Sequence, residues 1–181
     1  MTMENPTVLL VDDDDYGVRL MQIVFERAGF AQPLQAATNG DEAVAYLEGS
    51  GRFLDRARFP MPSIVLLDLN MPGRSGLEVL EWIRRQPPLK HLPVYILSAS
   101  SRLEDIERAY KIGANSYLVK PGNLDGLLQM ARNLGTWLDL GRFAPQDESN
   151  GSAAPAAGGN GLESHMTFPG ALPNPAQRCP A

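Results

Sequence analysis

The chain has 181 residues, of which 44% are hydrophobic and 20% charged, and its formal net charge is -5. That balance is ordinary for a globular protein, gives no basic footprint for nucleic acid, and includes no stretch near the ~20 apolar residues of a membrane span. The lone cysteine, Cys179, excludes a disulfide framework or a Cys-rich metal site within one chain, and MTMENPT runs into VLLV without the charged and apolar regions of a signal peptide, so a reducing, cytoplasmic location is expected.

Short apolar runs alternate with amphipathic segments from the start. Val8-Leu9-Leu10-Val11 is followed by a helical pattern on Val18, Met21, Ile23, Val24 and Phe25. A weaker run at 34–37 precedes Ala43, Val44 and Leu47. Ile64-Val65-Leu66-Leu67 precedes Leu77, Val79, Leu80 and Ile83. Val94-Tyr95-Ile96-Leu97 precedes Leu103, Ile106, Ala109, Tyr110 and Ile112. Tyr117-Leu118-Val119 precedes Leu124, Leu127, Leu128, Ala131, Leu134 and Leu138 at i, i+3, i+4, i+7 spacing. Runs this short and apolar read as strands covered on both faces. Gly29 and Gly113 stand where helices end, and Asn123 stands where the last one would be capped. Five strands alternating with five helices predict an α/β fold with right-handed crossovers.

Composition changes near Pro145. Of the 37 residues from there to Ala181, Gly, Pro and Ala supply 18, and no apolar periodicity survives. Such a segment buries too little to offset chain entropy. The division is therefore a folded domain over 6–144 and a disordered tail over 145–181.

Open α/β sheets place their chemistry at the carboxyl ends of the strands. The first strand ends in Asp12-Asp13-Asp14-Asp15, the third in Asp68-Leu69-Asn70, the fourth in Ser98 and the fifth in Lys120-Pro121. Gathered carboxylates repel, by roughly 4 kcal/mol for a pair at about 4 Å and an effective dielectric of 20. A hard divalent cation relieves this, and Mg2+ suits one or two carboxylates, waters and a phosphate oxygen. Asp12, Asp13 and Asp68 are the candidate ligands, with the Asn70 carbonyl as a fourth. A carboxylate so placed can attack a phosphoryl group to give an aspartyl phosphate. Lys120 would then pair with the new charge, and Ser98 would donate a hydrogen bond to it.

Each element also has a plainer reading. An acidic run after a strand also serves as an N-cap and first helical turn. Ser98, Ser100 or Ser101 would suit the cap of the following helix. Lys120 alone is a surface lysine and Pro121 alone a turn proline. What favours the chemical reading is four separate strand ends carrying the right groups in the right order.

The segments VLLVDDDD, IVLLDLNMPGRSGLEVL, VYILSAS and SYLVKP, in this order and spacing over about 6–138, resemble the receiver domain of two-component response regulators. The resemblance implies a flavodoxin-like doubly wound parallel sheet of order 2-1-3-4-5. It implies that Asp68 accepts phosphate from a sensor histidine kinase, with Asp12, Asp13, Asp68 and Asn70 around Mg2+. It further implies a switch pair in Ser98 and Tyr117, a Lys120 bridge to the phosphate, and a cis peptide bond before Pro121. The connector GSGRFLDRARFPMP, the segment QPPLKHLPV and the ending GTWLDL resemble the phytochrome-associated single-domain receivers, which implies a phytochrome-type photoreceptor kinase. Gly122-Asn123 departs from that subgroup, which carries an acidic or polar pair there. Ser98 stands where threonine is commoner.

The expectation is thus a single-domain switch rather than a turnover enzyme. Aspartyl phosphatases of similar fold carry a second Asp two residues after the nucleophile, and Asn70 holds that position here. A degenerate receiver acting only as a binding module is the alternative, although such proteins usually lose the acidic pair or the lysine. Neither His91 nor His165 falls at a strand end of the site, and both are expected to face solvent. Output is expected through protein contact. A homodimer across the fourth-helix and fifth-helix face is the specific expectation, and Trp137, Leu138, Leu140 and Phe143 are candidates either for docking or for closing the core.

Overall fold

A computed structural model describes residues 6–30, 34–141 and 171–175. Its elements run β1 (Val8–Val11), α1 (Asp15–Arg27), β2 (Gln35–Ala37), α2 (Gly40–Glu48), β3 (Ile64–Leu67), α3 (Gly76–Arg85), β4 (Val94–Ser98), α4 (Leu103–Ile112), β5 (Ser116–Val119), α5 (Leu124–Gly141) and β6 (Ala171–Leu172). The sheet order is β2-β1-β3-β4-β5-β6, with the first five strands parallel and β6 antiparallel to β5. The expected five-stranded order is present, and β6 extends it. No helix among the described residues is long and apolar enough to cross a membrane.

The apolar runs became strands because the sheet is covered on both faces. Every residue of β1, β3 and β4 is buried. One face packs Leu9, Val11, Leu67 and Ile96 against Tyr46, Leu80, Ile83 and Ala109 of α2, α3 and α4. The other packs Leu10, Leu66 and Leu97 against Val24, Phe25, Ala131 and Leu134 of α1 and α5. Burial of each such side chain contributes roughly 1.5–3 kcal/mol. Helix ends follow the expected punctuation. Gly29 has φ 90° and Gly113 φ 112°. Asn123 Oδ1 accepts from the Gly126 N–H at 2.7 Å as an N-cap should.

Leu138 is buried and the Trp137 ring lies 5.4 Å from that of Tyr95. These two residues close the core, which is one of the two roles open to them. Phe143, His165 and Cys179 lie outside the described residues, and His91 is exposed.

Two expectations are corrected. The peptide bond before Pro121 is trans, the isomer an X–Pro bond prefers intrinsically by about 0.5–1 kcal/mol. The tail expected to be structureless from 145 to 181 contributes β6 at 171–172, while the rest of it, apart from 173–175, lies outside the described residues. The physical reason is the open edge of β5, which offers unpaired backbone groups and, on each face, an apolar cluster for one side chain. Leu172 packs against the first cluster and Ala171 against the second.

The connector between α2 and β3 is a packed satellite. Tyr46, Phe53 and Phe59 cluster with ring centroids 5.1–6.1 Å apart, Phe59 meeting the other two edge-to-face. Arg56 donates to the carbonyls of Tyr46 and Leu47, both at 2.8 Å, closing the end of α2. Burial pushes the Tyr46 hydroxyl up from 10.0 to about 12, against the opposing Arg56 charge. A raised tyrosine favours the neutral folded form. Its contribution is complete below pH 10 and is lost as pH rises from 10 to about 12. Urea unfolding is therefore expected to give a flat stability up to pH 10 and a fall above it. Tyr46→Phe should flatten part of that fall and cost about 1 kcal/mol at neutral pH, because the hydroxyl donates to the Pro60 carbonyl at 2.8 Å.

Candidate functional site

The site residues stand immediately after their strands or at the last strand position, and the sheet's own hydrogen bonds reach them. Asp12 N–H donates to the Ala37 carbonyl at 3.1 Å, and Asp68 N–H to the Val11 carbonyl at 2.9 Å. Lys120 N–H donates to the Ser98 carbonyl at 2.9 Å. Continuing the ladder one residue past each strand fixes these backbones side by side before any side chain acts.

Asp12, Asp13 and Asp68 present carboxylate oxygens that all lie within 4.8 Å of one another, as a divalent cation site requires. Asp12 and Asp68 are buried and Asp13 is exposed, so the group opens to solvent on one side. Lys120 Nζ lies 2.8 Å from Asp12 Oδ2 and 3.2 Å from Asp68 Oδ1. Burial opposes its charge, but the hydrogen bond it donates to Asp12 and the charges of Asp68 and Asp12 outweigh it, and the ammonium is held above its ordinary range. Asn70 is exposed two residues on, and its N–H donates to Asp68 Oδ2 at 3.1 Å.

The acidic run divides between its two readings. Asp12 and Asp13 join the site. Asp14 is the N-cap of α1, accepting from the Tyr16 N–H at 3.0 Å, and Asp15 opens the helix. The loop that carries Asp68 is equally constrained. Gly76 N–H donates to the Leu69 carbonyl at 3.1 Å. Ser75 and Glu78 form a reciprocal capping box at the start of α3.

Ser98 is fully buried, and its Oγ accepts from the Ser100 N–H at 3.2 Å. Tyr117 is also fully buried, turned inward, and its hydroxyl donates to the Ser100 carbonyl at 2.9 Å. Burial raises its pKa, with hydrogen bonding to Ser98 and Ser100 opposing. The structure therefore brings Ser98 and Tyr117 together around Ser100, whose own hydroxyl binds Asp105 of α4. None of the serines caps α4. Its N-cap is Arg102, whose side chain makes no capping hydrogen bond and instead pairs with Glu104 at 2.6 Å.

Two features were not legible beforehand. Arg84 donates to the Gly113 carbonyl at 2.9 Å, the Leu92 carbonyl at 2.9 Å and Asn115 Oδ1 at 2.8 Å, tying α3 to the C-terminal end of α4 and to the loops that enter β4 and β5. Nothing local marks such a residue, since its partners at Gly113 and Asn115 are 29 and 31 positions away. The other is β6 against β5.

A family model described as the response regulator receiver domain matches residues 8–132. The response regulator Rcp1 of Synechocystis sp. is 35% identical over 133 residues, covering 73% of this chain and 88% of that protein. Among solved structures, the phosphorylated cyanobacterial phytochrome response regulator RcpA aligns with a TM-score of 0.69 and 33% identity, over 76% of this chain and 96% of that one. The Mn2+-bound form of response regulator Rcp1 aligns with a TM-score of 0.63 and 33% identity, over 74% and 94% of the two chains.

Proposed function

The chain belongs to the response regulator receiver family, and from that premise we propose that Asp68 accepts a phosphoryl group from a histidine kinase and that the α4-β5-α5 face reports it. One observation carries the reading: three carboxylates within 4.8 Å of one another, two of them bridged by Lys120. An Asp68 carboxylate oxygen attacks phosphorus. The new O–P bond forms as the P–N bond of the donor phosphohistidine breaks, and the departing imidazole keeps the electron pair. Asp12, Asp13 and Asp68, with the Asn70 carbonyl, would hold Mg2+, which when bound supplies charge neutralisation for the phosphoryl oxygens. Lys120 then trades its contact with the Asp68 carboxylate for one with the phosphoryl oxygens. Ser98 donates its hydroxyl proton to one of them.

The phosphoryl group adds about -1.5 to -2 charges and three acceptor oxygens. Drawing Ser98 toward them reinforces an inward Tyr117, which reshapes the neighbouring surface of α4. Asn70 lacks a proton to give or take as an acid, so the site suits holding a phosphate rather than turning over esters. The likeness to phytochrome-linked regulators extends the proposal to a phytochrome-type photoreceptor kinase as donor. The readout on this reading is a protein contact, with a second copy across α4 and α5 as the first partner to test. Sedimentation at micromolar concentration, with and without beryllofluoride, checks that pairing. A monomer in both conditions removes the homodimer.

Intact mass after incubation with acetyl phosphate and Mg2+ is the primary test. A single phosphate adduct that EDTA prevents is the expected result. No adduct on the wild-type protein would instead favour a binding module that works without phosphorylation.

A further inference from the structure

β6 does more than cover an edge. Its register sets Leu172 directly opposite Tyr117 and Ala171 opposite Leu118. Residues opposite one another on antiparallel strands share a face, with Cβ atoms about 4.5–5.5 Å apart. Leu172 is therefore the cross-strand neighbour of the residue proposed to read the phosphate, and, like Tyr110 and Val119, it packs against the apolar cluster that contains Tyr117. The Tyr110 hydroxyl of α4 donates to the Leu172 carbonyl, so the segment is bonded to the helix as well as to the strand. Asn174 and Pro175 continue beside Glu107, Tyr110 and Lys111 of α4. Pro173 and Pro175 lack N–H groups, so this short strand is a poor template for further sheet growth.

We propose that residues 171–175 form an intramolecular strap that holds Tyr117 inward and so biases the Asp68 switch toward its phosphorylated conformation. The inference rests on the reading of Asp68, Ser98 and Tyr117 given above. An outward swing of Tyr117 past the β5 edge would enter the space Leu172 occupies. Strap docking and an outward tyrosine thus exclude each other, whereas strap docking and an inward tyrosine support each other. Linkage makes the effect reciprocal: what phosphate does for the strap, the strap does for phosphate. The surface offered to a partner then includes the strap.

The test uses the full chain with Leu172→Asp, which sets a charge against the apolar cluster, and Tyr110→Phe, which removes the hydroxyl and its bonds to Leu172, the Tyr117 backbone and Ser116 while keeping the ring. Hydrogen exchange is read on peptides covering 116–119 and 171–175, and beryllofluoride affinity is measured in the presence of Mg2+. Beryllofluoride is expected to slow exchange of 171–175 in the wild type. Leu172→Asp is expected to speed exchange of β5 and weaken beryllofluoride binding by about fivefold or more, the lower end of ordinary couplings. Tyr110→Phe should shift both in the same direction by less. Equal beryllofluoride affinity in wild type and Leu172→Asp overturns the coupling while leaving Asp68 as the acceptor. Failure of the wild type to bind beryllofluoride or take a phosphate adduct overturns the Asp68 reading and the coupling with it. β5 protection that rises with protein concentration overturns the intramolecular strap in favour of exchange between copies.

Discussion

Asp68→Asn is expected to abolish the phosphate adduct completely while leaving the fold intact. The amide nitrogen has no lone pair free to attack phosphorus, so the chemical step is lost rather than slowed. The fold should tolerate the change because the isosteric side chain can still accept from the Asn70 N–H. Lys120 keeps Asp12 at 2.8 Å, so no buried ammonium is orphaned. One carboxylate fewer also relieves repulsion in a group packed within 4.8 Å. Stability without metal should thus be within about 1 kcal/mol of wild type, or higher. With metal the order reverses. A ligand at 100 times its Kd stabilises the native state by about 2.7 kcal/mol, and the variant should lose most of that gain. Intact mass and melting curves with and without Mg2+ read both effects. An adduct persisting on Asp68→Asn would move the acceptor to Asp12 or Asp13.

The second large effect belongs to Gly76→Ala. A Cβ there would lie 2.0 Å from the Asp68 carbonyl oxygen, 2.9 Å from its carbon and 3.0 Å from Leu69 Cα. The atoms it meets are backbone, and that backbone is held by Asp68 N–H on Val11 and Gly76 N–H on Leu69. Relief requires moving either α3 or the strand end that carries the acceptor. Overpacking of this kind costs about 1–3 kcal/mol, more when backbone must yield. A displacement of about 1 Å at a reacting group can cost 100-fold in rate. Urea unfolding and the initial rate of adduct formation from acetyl phosphate should both fall. Gly73→Ala separates crowding from strain: Gly73 has φ 75° but no atom within 4 Å of an added Cβ. It should cost only the ~1–2 kcal/mol of a left-handed residue, with little effect on the rate. A Gly76→Ala rate within twofold of wild type would refute the positioning role.

Much of the site was readable in advance because its chemistry sits next to a strong local signal. A strand buried on both faces must be a continuous apolar run, so Val8–Val11 and Ile64–Leu67 matched the observed strands residue for residue. Once two strands are adjacent and parallel, the residue after each is carried to the same edge. That is why Asp12, Asp68 and Lys120 could be grouped from order alone. The acidic run was only half legible. Site-facing and helix-capping aspartates look alike in a sequence, and only the backbone's turn into α1 separates Asp13 from Asp14.

Features that depend on partners distant in the chain were not readable. Arg84 looks like any basic residue at a helix end until Gly113, Leu92 and Asn115 surround it. Ala171-Leu172 is too short to carry a period, and a Gly- and Pro-rich setting argues against order. It is a strand only because β5 lies beside it with an open edge and an apolar pocket on either face. The rotamer of Tyr117 and the isomer before Pro121 belong to the same class. The amino-acid sequence by itself therefore determined the α/β alternation, the sheet edge that carries the candidate site and the candidate ligands, since those follow from local burial and chain direction. The tertiary structure alone decided which aspartates face the site, where Tyr117 points and what closes the β5 edge, because each is an energy shared between segments that meet only after folding.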